Sequence, residues 1–541
     1  MTPQRAAGAL LTCLALACSA PNARAQSAGA ADAARHRELG VAHLNRGNLQ
    51  DALTEFHTAL TLNPNDAAAH DYLGVALGDS GQPEVAVYEF REAIRIDPAL
   101  ADAHLHLGLA LERTGRPNAA VAEYLTALHL KPELVEARYG LSSVCARIGD
   151  LDGAIVLLRA IVQVLPEVAE PHYNLGVDLW NRYKGSPGLK HNEDLDAALH
   201  ELRTAVRLAP REPTFREALG QLLADMQDLP GAIDALTAAV DAAPDNPEYA
   251  YQLGLVQRLA GDMNGAEARL RTAIARNPAH ARAHRALGLA LRQQGNLEEA
   301  ASEFRLSASQ QPDEAQTHHL LGTVLLRLGR TDEAVAAFRE AIRLDGNLTE
   351  AHVSLAQTLA RAGRADEARE QQREVERINA ENAAIGRTLL LLQTAAEKTK
   401  NGDSPGAIAQ LQEAVASTPE FAEAHYQLAL ALRASGDRVG AERELMRVID
   451  LKPEHAAARC QLGLVLAARG ATEQARGEYR KAADLAPGLV EAHREIARTA
   501  SGARDWETAI AELKNVLIFK PDDQAARDAL AVASKSQTRD R

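Results

Sequence analysis

Prolines recur along this chain at a fixed interval. Pro64, Pro98, Pro132 and Pro166 stand 34 residues apart, and after a step of 44 to Pro210 the interval resumes through Pro244, Pro278 and Pro312. Pro419, Pro453, Pro487 and Pro521 repeat it, following a gap of 107 that equals three such steps plus five. A period of this size marks a stacked array, in which each supersecondary unit buries its apolar face on its neighbours. It overrides the three or four globular domains that 541 residues would otherwise suggest.

Within each step the residues describe two amphipathic helices. Counting Ala33 as position 1, Leu-Gly recurs at positions 7 and 8, as in Leu39-Gly40, Leu73-Gly74, Leu287-Gly288 and Leu321-Gly322. Ala recurs at position 20 (Ala52, Ala86, Ala300) and a bulky residue at 24 (Phe56, Phe90, Tyr124, Phe304, Phe338, Tyr479). Small residues at 8 and 20 let two helix backbones approach, and the side chain at 24 fills the space between them. Position 15 is Gly in eleven units, where a left-handed residue closes the first helix. Pro at 32 stops the second helix and sets the turn into the next unit. Aromatic residues are only 4% of the chain, as expected of close helix packing without a large central core.

This pattern resembles the tetratricopeptide repeat, in fourteen units between Ala33 and Asp523 with inserts of ten and five residues. The resemblance implies an all-α fold, an α-solenoid that winds as a right-handed superhelix of helix-turn-helix repeats. It also implies that first helices line a concave face, with positions 2, 5, 9, 12 and 13 turned to a protein or peptide partner. Here those positions carry Tyr139, Tyr173, Trp180, Tyr251, Arg258, Arg282, Arg285, Arg292 and Arg327 across units 4 to 9. Tyr183 adds a further aromatic in the ten-residue insertion, at about 180–194. Tyr, Trp and Arg dominate binding hot spots, and the lining is basic within an acidic protein, which suits a partner with an acidic or carboxylate-terminated segment. Two specialised grooves of the family do not transfer. The carboxylate-clamp set of cochaperone repeats is missing from unit 1, which has Arg37 and Val41, and no asparagine ladder runs through position 6.

Several segments lie outside the array. Residues 1–25 combine a short basic start, an apolar run from Ala6 to Ala20 and the small-x-small site Ala23-Arg24-Ala25, the form of a cleaved secretory signal. An alternative reading takes Leu14-Ala15-Leu16-Ala17-Cys18 as a lipoprotein box and acylates Cys18. Either way the expected location is the periplasm or outer envelope of a Gram-negative-type bacterium, and no other stretch approaches the length of a transmembrane helix. The expected organisation continues with a linker at 26–32, repeats 1–9 at 33–348, a degenerate unit at 349–387, repeats 11–14 at 388–523 and a capping helix with its tail at 524–541. In the degenerate unit, Ala380 stands where Pro belongs, so the second helix should run on, with a break near Asn382 or Gly386. The formal net charge of −14 falls to −16 once Arg5 and Arg24 leave, a poor match for nucleic acid.

Residues able to carry chemistry are few. His occupies position 4 in nine units, from His36 and His70 to His425 and His493. Ligands to one metal ion must lie within a few ångströms of each other, whereas neighbouring helices are ~8–10 Å apart, so these imidazoles are expected to pack and no metal or other cofactor is expected. Cys145 and Cys460 are nine repeats apart, a separation that in a linear stack leaves both as free thiols. Phosphate loops, nucleophile elbows, zincin helices and Cys-x-x-Cys pairs are missing from the sequence. The reading is therefore a protein-interaction scaffold or adaptor and not an enzyme, with a lipid-anchored assembly factor for a secretion or polysaccharide-export machine as the alternative.

Overall fold

The computed structural model describes residues 30–185 and 192–540; the expected signal segment and Cys18 lie outside the described residues. Among the described residues the chain forms twenty-eight helices and no strand, an all-α array in which each repeat is an antiparallel pair. Repeat 2, for example, pairs Ala67–Asp79 with Pro83–Ile96, and repeat 8 pairs Ala281–Gln294 with Leu297–Gln310. The first helix begins at residue 30, so positions 30–32 of the expected linker are already helical.

The repeat signature has a direct steric meaning. A Cβ placed on Gly40 would sit 2.5 Å from the ring of Phe56, and one on Gly322 would sit 2.6 Å from Phe338. Where position 24 is Leu the contact is the same, 2.6 Å from Gly220 to Leu236. At position 15, all eleven glycines have positive φ, between 72° and 91°. Two repeats keep that left-handed turn without glycine, at Gln227 (φ 65°) and Arg504 (φ 60°).

The histidines at position 4 strap consecutive repeats together. In six of them Nδ1 faces a Glu on the second helix of the same repeat and Nε2 a proline carbonyl, with Nδ1 at 2.5–2.7 Å in His70–Glu89, His104–Glu123, His172–Glu201, His284–Glu303, His425–Glu444 and His493–Glu512, while His352 uses Gln371 and Gly346 O instead. In those six the proline carbonyl stands six residues earlier, in the preceding turn, at 2.8–3.2 Å from Nε2. Arg138 and Arg216 make the same carbonyl bond where position 4 is Arg. In the strap of His70 the Pro64 carbonyl and the Glu89 carboxylate both accept, an arrangement that favours the ring with both nitrogens protonated. The bond to Glu89 holds the His70 pKa above the usual 6.5 against the opposing effect of burial.

The chain divides into two compact units, one built from 30–164 together with 454–540, the other from 165–453. In the first, repeats far apart in sequence touch. Asp150 caps its helix through Oδ1, which accepts from Gly153 N–H at 3.0 Å, while Oδ2 accepts from Gly488 N–H at 2.6 Å. His129 Nε2 meets Asn515 Oδ1 at 2.7 Å, and Phe519, 4% exposed, is buried in a core otherwise drawn from residues 52–157. Backbone meets backbone so closely that a Cβ on Gly488 would lie 2.5 Å from Gly153 Cα. This corrects the linear picture in which repeats 4 and 13 stand many helices apart. Cys145 and Cys460 are nevertheless both free and buried.

Three local expectations change with the structure. Around the insertion of repeat 5, whose residues 186–191 lie outside the described residues, the helices Ala169–Gly185 and Asn192–Leu208 are 17 residues each, with Arg182 bonded to Asp194 at 2.6 Å. The degenerate unit continues as one unbroken 36-residue helix, Ala365–Lys400, through Asn382 and Gly386 and into repeat 11. Gly386 meets no neighbour that would force a bend, and Arg377 bonds to both Glu374 and Glu381 along the helix. At the C-terminus the helix Gln524–Asp540 takes in most of the segment expected as cap and tail, and it packs through Ala526 and Ala533 while Val532 is exposed.

Candidate functional site

The first helices of repeats 5 to 9, all within residues 165–453, are Ala169–Gly185, Pro213–Asp225, Pro247–Leu259, Ala281–Gln294 and Ala315–Arg327. Their Leu, Ala and Gly residues face the paired helix, which leaves polar and aromatic side chains on the opposite face. That face has two chemically different halves.

The half nearer repeat 5 is aromatic. Tyr173 stacks on Phe215 with ring centroids 4.7 Å apart, and Thr214 Oγ1 lies 3.4 Å from the Tyr249 hydroxyl. Further along, Tyr251 and His280 have centroids 4.9 Å apart, with the Arg282 guanidinium 5.2 Å from the Tyr251 ring. Burial raises the pKa of both Tyr173 and Tyr251. Glu217 is also raised, first by burial and then by the charge of Glu248. The sequence pattern does not single out Phe215, Tyr249 and His280, because they stand at position 3 or in the turn before the helix. The signal for them is an aromatic recurring at position 3 in repeats 6 and 7, Phe215 and Tyr249.

The half nearer repeat 9 is cationic, and its arginines fall into two groups. Arg282 bonds to both carboxylate oxygens of Glu248, at 3.1 and 3.0 Å, and Arg285 bonds to Glu314 at 2.6 Å. These two charges are neutralised inside the protein. Arg258, Arg292 and Arg327 pair with no carboxylate among the described residues, and Arg258 Nε is buried without a hydrogen-bond acceptor. The Arg292 pKa is lowered, first by burial and then by Arg327 and Arg258, which places the three charges in one another's field.

The remaining residues expected to meet a partner sit elsewhere. Trp180 is 7% exposed and donates its indole N–H to Asp225 at 2.9 Å, while the Lys184 ammonium covers the ring at 3.6 Å from its centroid. It is therefore a packing residue, held by Asp225 of the next first helix on one side and covered by Lys184 on the other. Tyr183 is half-buried on the same helix as Trp180. Tyr139 is half-buried on a first helix of the other compact unit. Tyr251, 6% exposed, supports the face from beneath Arg282.

Among the described residues, the buried carboxyl of Asp178 has no hydrogen-bond or ion-pair partner. Asp178 occupies position 10, where most other repeats place Ala, Val or Leu, and is 8% exposed. Burial pushes its pKa up to about 6.

The family pattern described as the tetratricopeptide repeat matches residues 37–101, 74–133, 105–168, 189–247, 251–315 and 319–383, and a second pattern of that description matches 401–484. A comparison with curated proteins finds no match. Among solved structures, MamA from Desulfovibrio magneticus RS-1 is 24% identical over 32% of this chain and 94% of its own, with a TM-score of 0.30. YrrB, described as a TPR protein with an unusual peptide-binding site, is 22% identical over 36% of this chain and 95% of its own, with a TM-score of 0.29. The APC/C hetero-tetramer Cut9–Hcn1 is 14% identical over 92% of this chain and 96% of the matched chain, with a TM-score of 0.34.

Proposed function

Because the chain belongs to the tetratricopeptide repeat family, we propose that it is a protein-interaction scaffold whose partner segment lies along the first-helix face of repeats 5 to 9. The observation that carries this reading is the aromatic-to-cationic face, whose Arg258, Arg292 and Arg327 have no ion-pair partner among the described residues. Aromatic rings supply contact area with little side-chain entropy to lose, and unpaired guanidinium groups supply directional charge. Binding, rather than catalysis, is the activity this face is suited to.

The protein is, in this reading, exported to the bacterial cell envelope, on the strength of the apolar run Ala6 to Ala20 and the Ala23-Arg24-Ala25 site. Mass spectrometry of the mature N-terminus tests that part. Gln26 as first residue supports export with cleavage, and an acylated Cys18 supports the lipid-anchored assembly factor instead. A cytosolic protein that retains Met1 removes both.

Site-specific photocrosslinking in native cells tests the binding face. A crosslinker at Phe215 is expected to trap a discrete partner that one at Arg343, an exposed second-helix position, does not trap. The same adduct from both positions, or from Arg343 only, would discard this face as the partner surface.

A further inference from the structure

We infer that Arg258, Arg292 and Arg327 form an anion-binding row that takes the side-chain carboxylates of an acidic peptide segment. The inference rests on the reading of this face as the partner surface and adds the chemistry of what binds there.

The row follows from the repeat. Arg258 and Arg292 share position 12 of successive first helices, and Arg327 stands at position 13 of the next. Same-face side chains of neighbouring repeats are thereby brought alongside one another. Nearby acids serve other cations: Glu248 is held by Arg282 and Glu314 by Arg285. The remaining polar atoms here include donors without acceptors. Arg258 Nε can only donate, and it is buried unpartnered. Beside Arg292, His319 Nε2 contacts Ser354 Oγ at 3.2 Å, and its unpartnered Nδ1 donates only in the tautomer in which Nε2 accepts; beside Arg258, the buried Gln257 Oε1 can only accept. Glu350 lies near enough to act on His319, yet it forms no ion pair with the three arginines among the described residues.

Buried donors left unpaired cost free energy, and adjacent like charges add to that cost. A bound anion removes both penalties. Guanidinium groups favour carboxylates, which they engage through two parallel hydrogen bonds. Arg292, partly desolvated and flanked by two cations, gains most from such a partner.

Spacing narrows the ligand further. Packed helices are ~8–10 Å apart, and an extended peptide advances ~3.3 Å per residue. Acidic side chains three residues apart therefore match successive arginines. The surplus of acids elsewhere on this protein, net charge −14, repels the same peptide from other surfaces and directs it to the row.

The test is fluorescence anisotropy on the full mature chain with a labelled, C-terminally amidated ten-residue peptide carrying Glu at every third position. Replacing its Glu residues by Gln is expected to weaken binding at least about tenfold, and raising salt should weaken the Glu peptide selectively. The variant R258A/R292A/R327A should lose the same factor, with R292K intermediate and all variants retaining the wild-type helical signal and melting profile. Equal binding of the Gln peptide, or binding by the triple variant within about twofold of wild type, would overturn the row. So would a Gln peptide with a free C-terminus that binds as tightly as the Glu peptide, because recognition would then rest on a terminal carboxylate. The outcome is separable from that of the face itself. If the triple arginine variant keeps the Phe215 photocrosslink, the face stands and the row fails; if the adduct forms only from Arg343, the face fails.

Discussion

The two compact units are built on one repeat, yet their polar groups face different things. In the unit formed by 30–164 and 454–540, buried polar groups of distant repeats satisfy one another. Asp150 accepts from Gly488, and His129, Asn515, Glu512 and His493 form a continuous hydrogen-bonded chain. Both units also keep buried polar atoms without a partner among the described residues, such as Arg138 Nε in the first, but only in the unit formed by 165–453 do Arg258 and Arg292 share position 12 of successive repeats without an ion pair, with Asp178 buried at position 10. Repeat stacking alone thus satisfies the backbone and the apolar face. Polar groups beyond that either close the structure on itself or remain available to a partner.

The largest expected effect tests closure. Phe519→Ala removes a buried aromatic shared by the two sequence-distant parts of its unit and should cost about 3–5 kcal/mol. Hydrogen exchange should then rise around His129 and Asp150 as well as in the last helices. A rise confined to the last helices would mean that the distant contact contributes no stability.

Asp178 offers the matching test in the other unit. Its folded pKa of about 6 lies above the unfolded value of about 3.8, so the stability it contributes is present below the unfolded value and is lost as pH rises through about 6. Asp178→Asn should therefore stabilise residues 165–453 by up to about 3 kcal/mol at pH 8 and have little effect near pH 3. Denaturant melts at the two pH values give this difference directly, and an equal effect at both would contradict an unpaired buried charge.

The histidine straps occur in both units, and the strap of His70 can be tested through its charge. With its folded pKa raised, His70 contributes stability that is full below about 6.5 and disappears as pH rises through the folded value. His70→Gln is expected to cost about 1–2 kcal/mol at pH 5.5 and clearly less at pH 9. A cost independent of pH would assign the ring a purely steric role.

The smallest effect compares the two left-handed turns without glycine. Gln227→Gly and Arg504→Gly, one in each unit, should each stabilise by about 1 kcal/mol, since relief of the left-handed strain outweighs the long bond of Gln227 to Ala224 O at 3.4 Å and the exposed pair of Arg504 with Asp540 at 3.9 Å. Thermal melts that show a loss instead would mean that these side chains make contacts worth more than the strain.

Much of the fold is readable residue by residue. The Gly at position 8 and the ring at position 24 are steric complements, and neither has an alternative role in such a hairpin. The eleven glycines at position 15 likewise announce a backbone shape. The histidines at position 4 are legible as seam residues, but not as straps, because the proline carbonyl they bind belongs to the backbone. The binding face is legible only in outline. Position numbers select Arg258, Arg292 and Arg327 together with Arg282 and Arg285, and only the placement of Glu248 and Glu314 separates the two groups. Trp180 escapes the position rule because Asp225, on the next first helix, and Lys184 take up its indole N–H and its ring.

By itself, the order of residues determined the period, the helix ends and the small-to-large packing within each hairpin, because these depend on contacts between residues at most a repeat apart. Tertiary structure alone decided which sequence-distant repeats meet, as Gly153 and Gly488 do, and which arginines keep their charge unmatched. Such outcomes depend on small rotations accumulated over many stacked helices, and on side chains contributed by neighbouring repeats, so no local pattern encodes them.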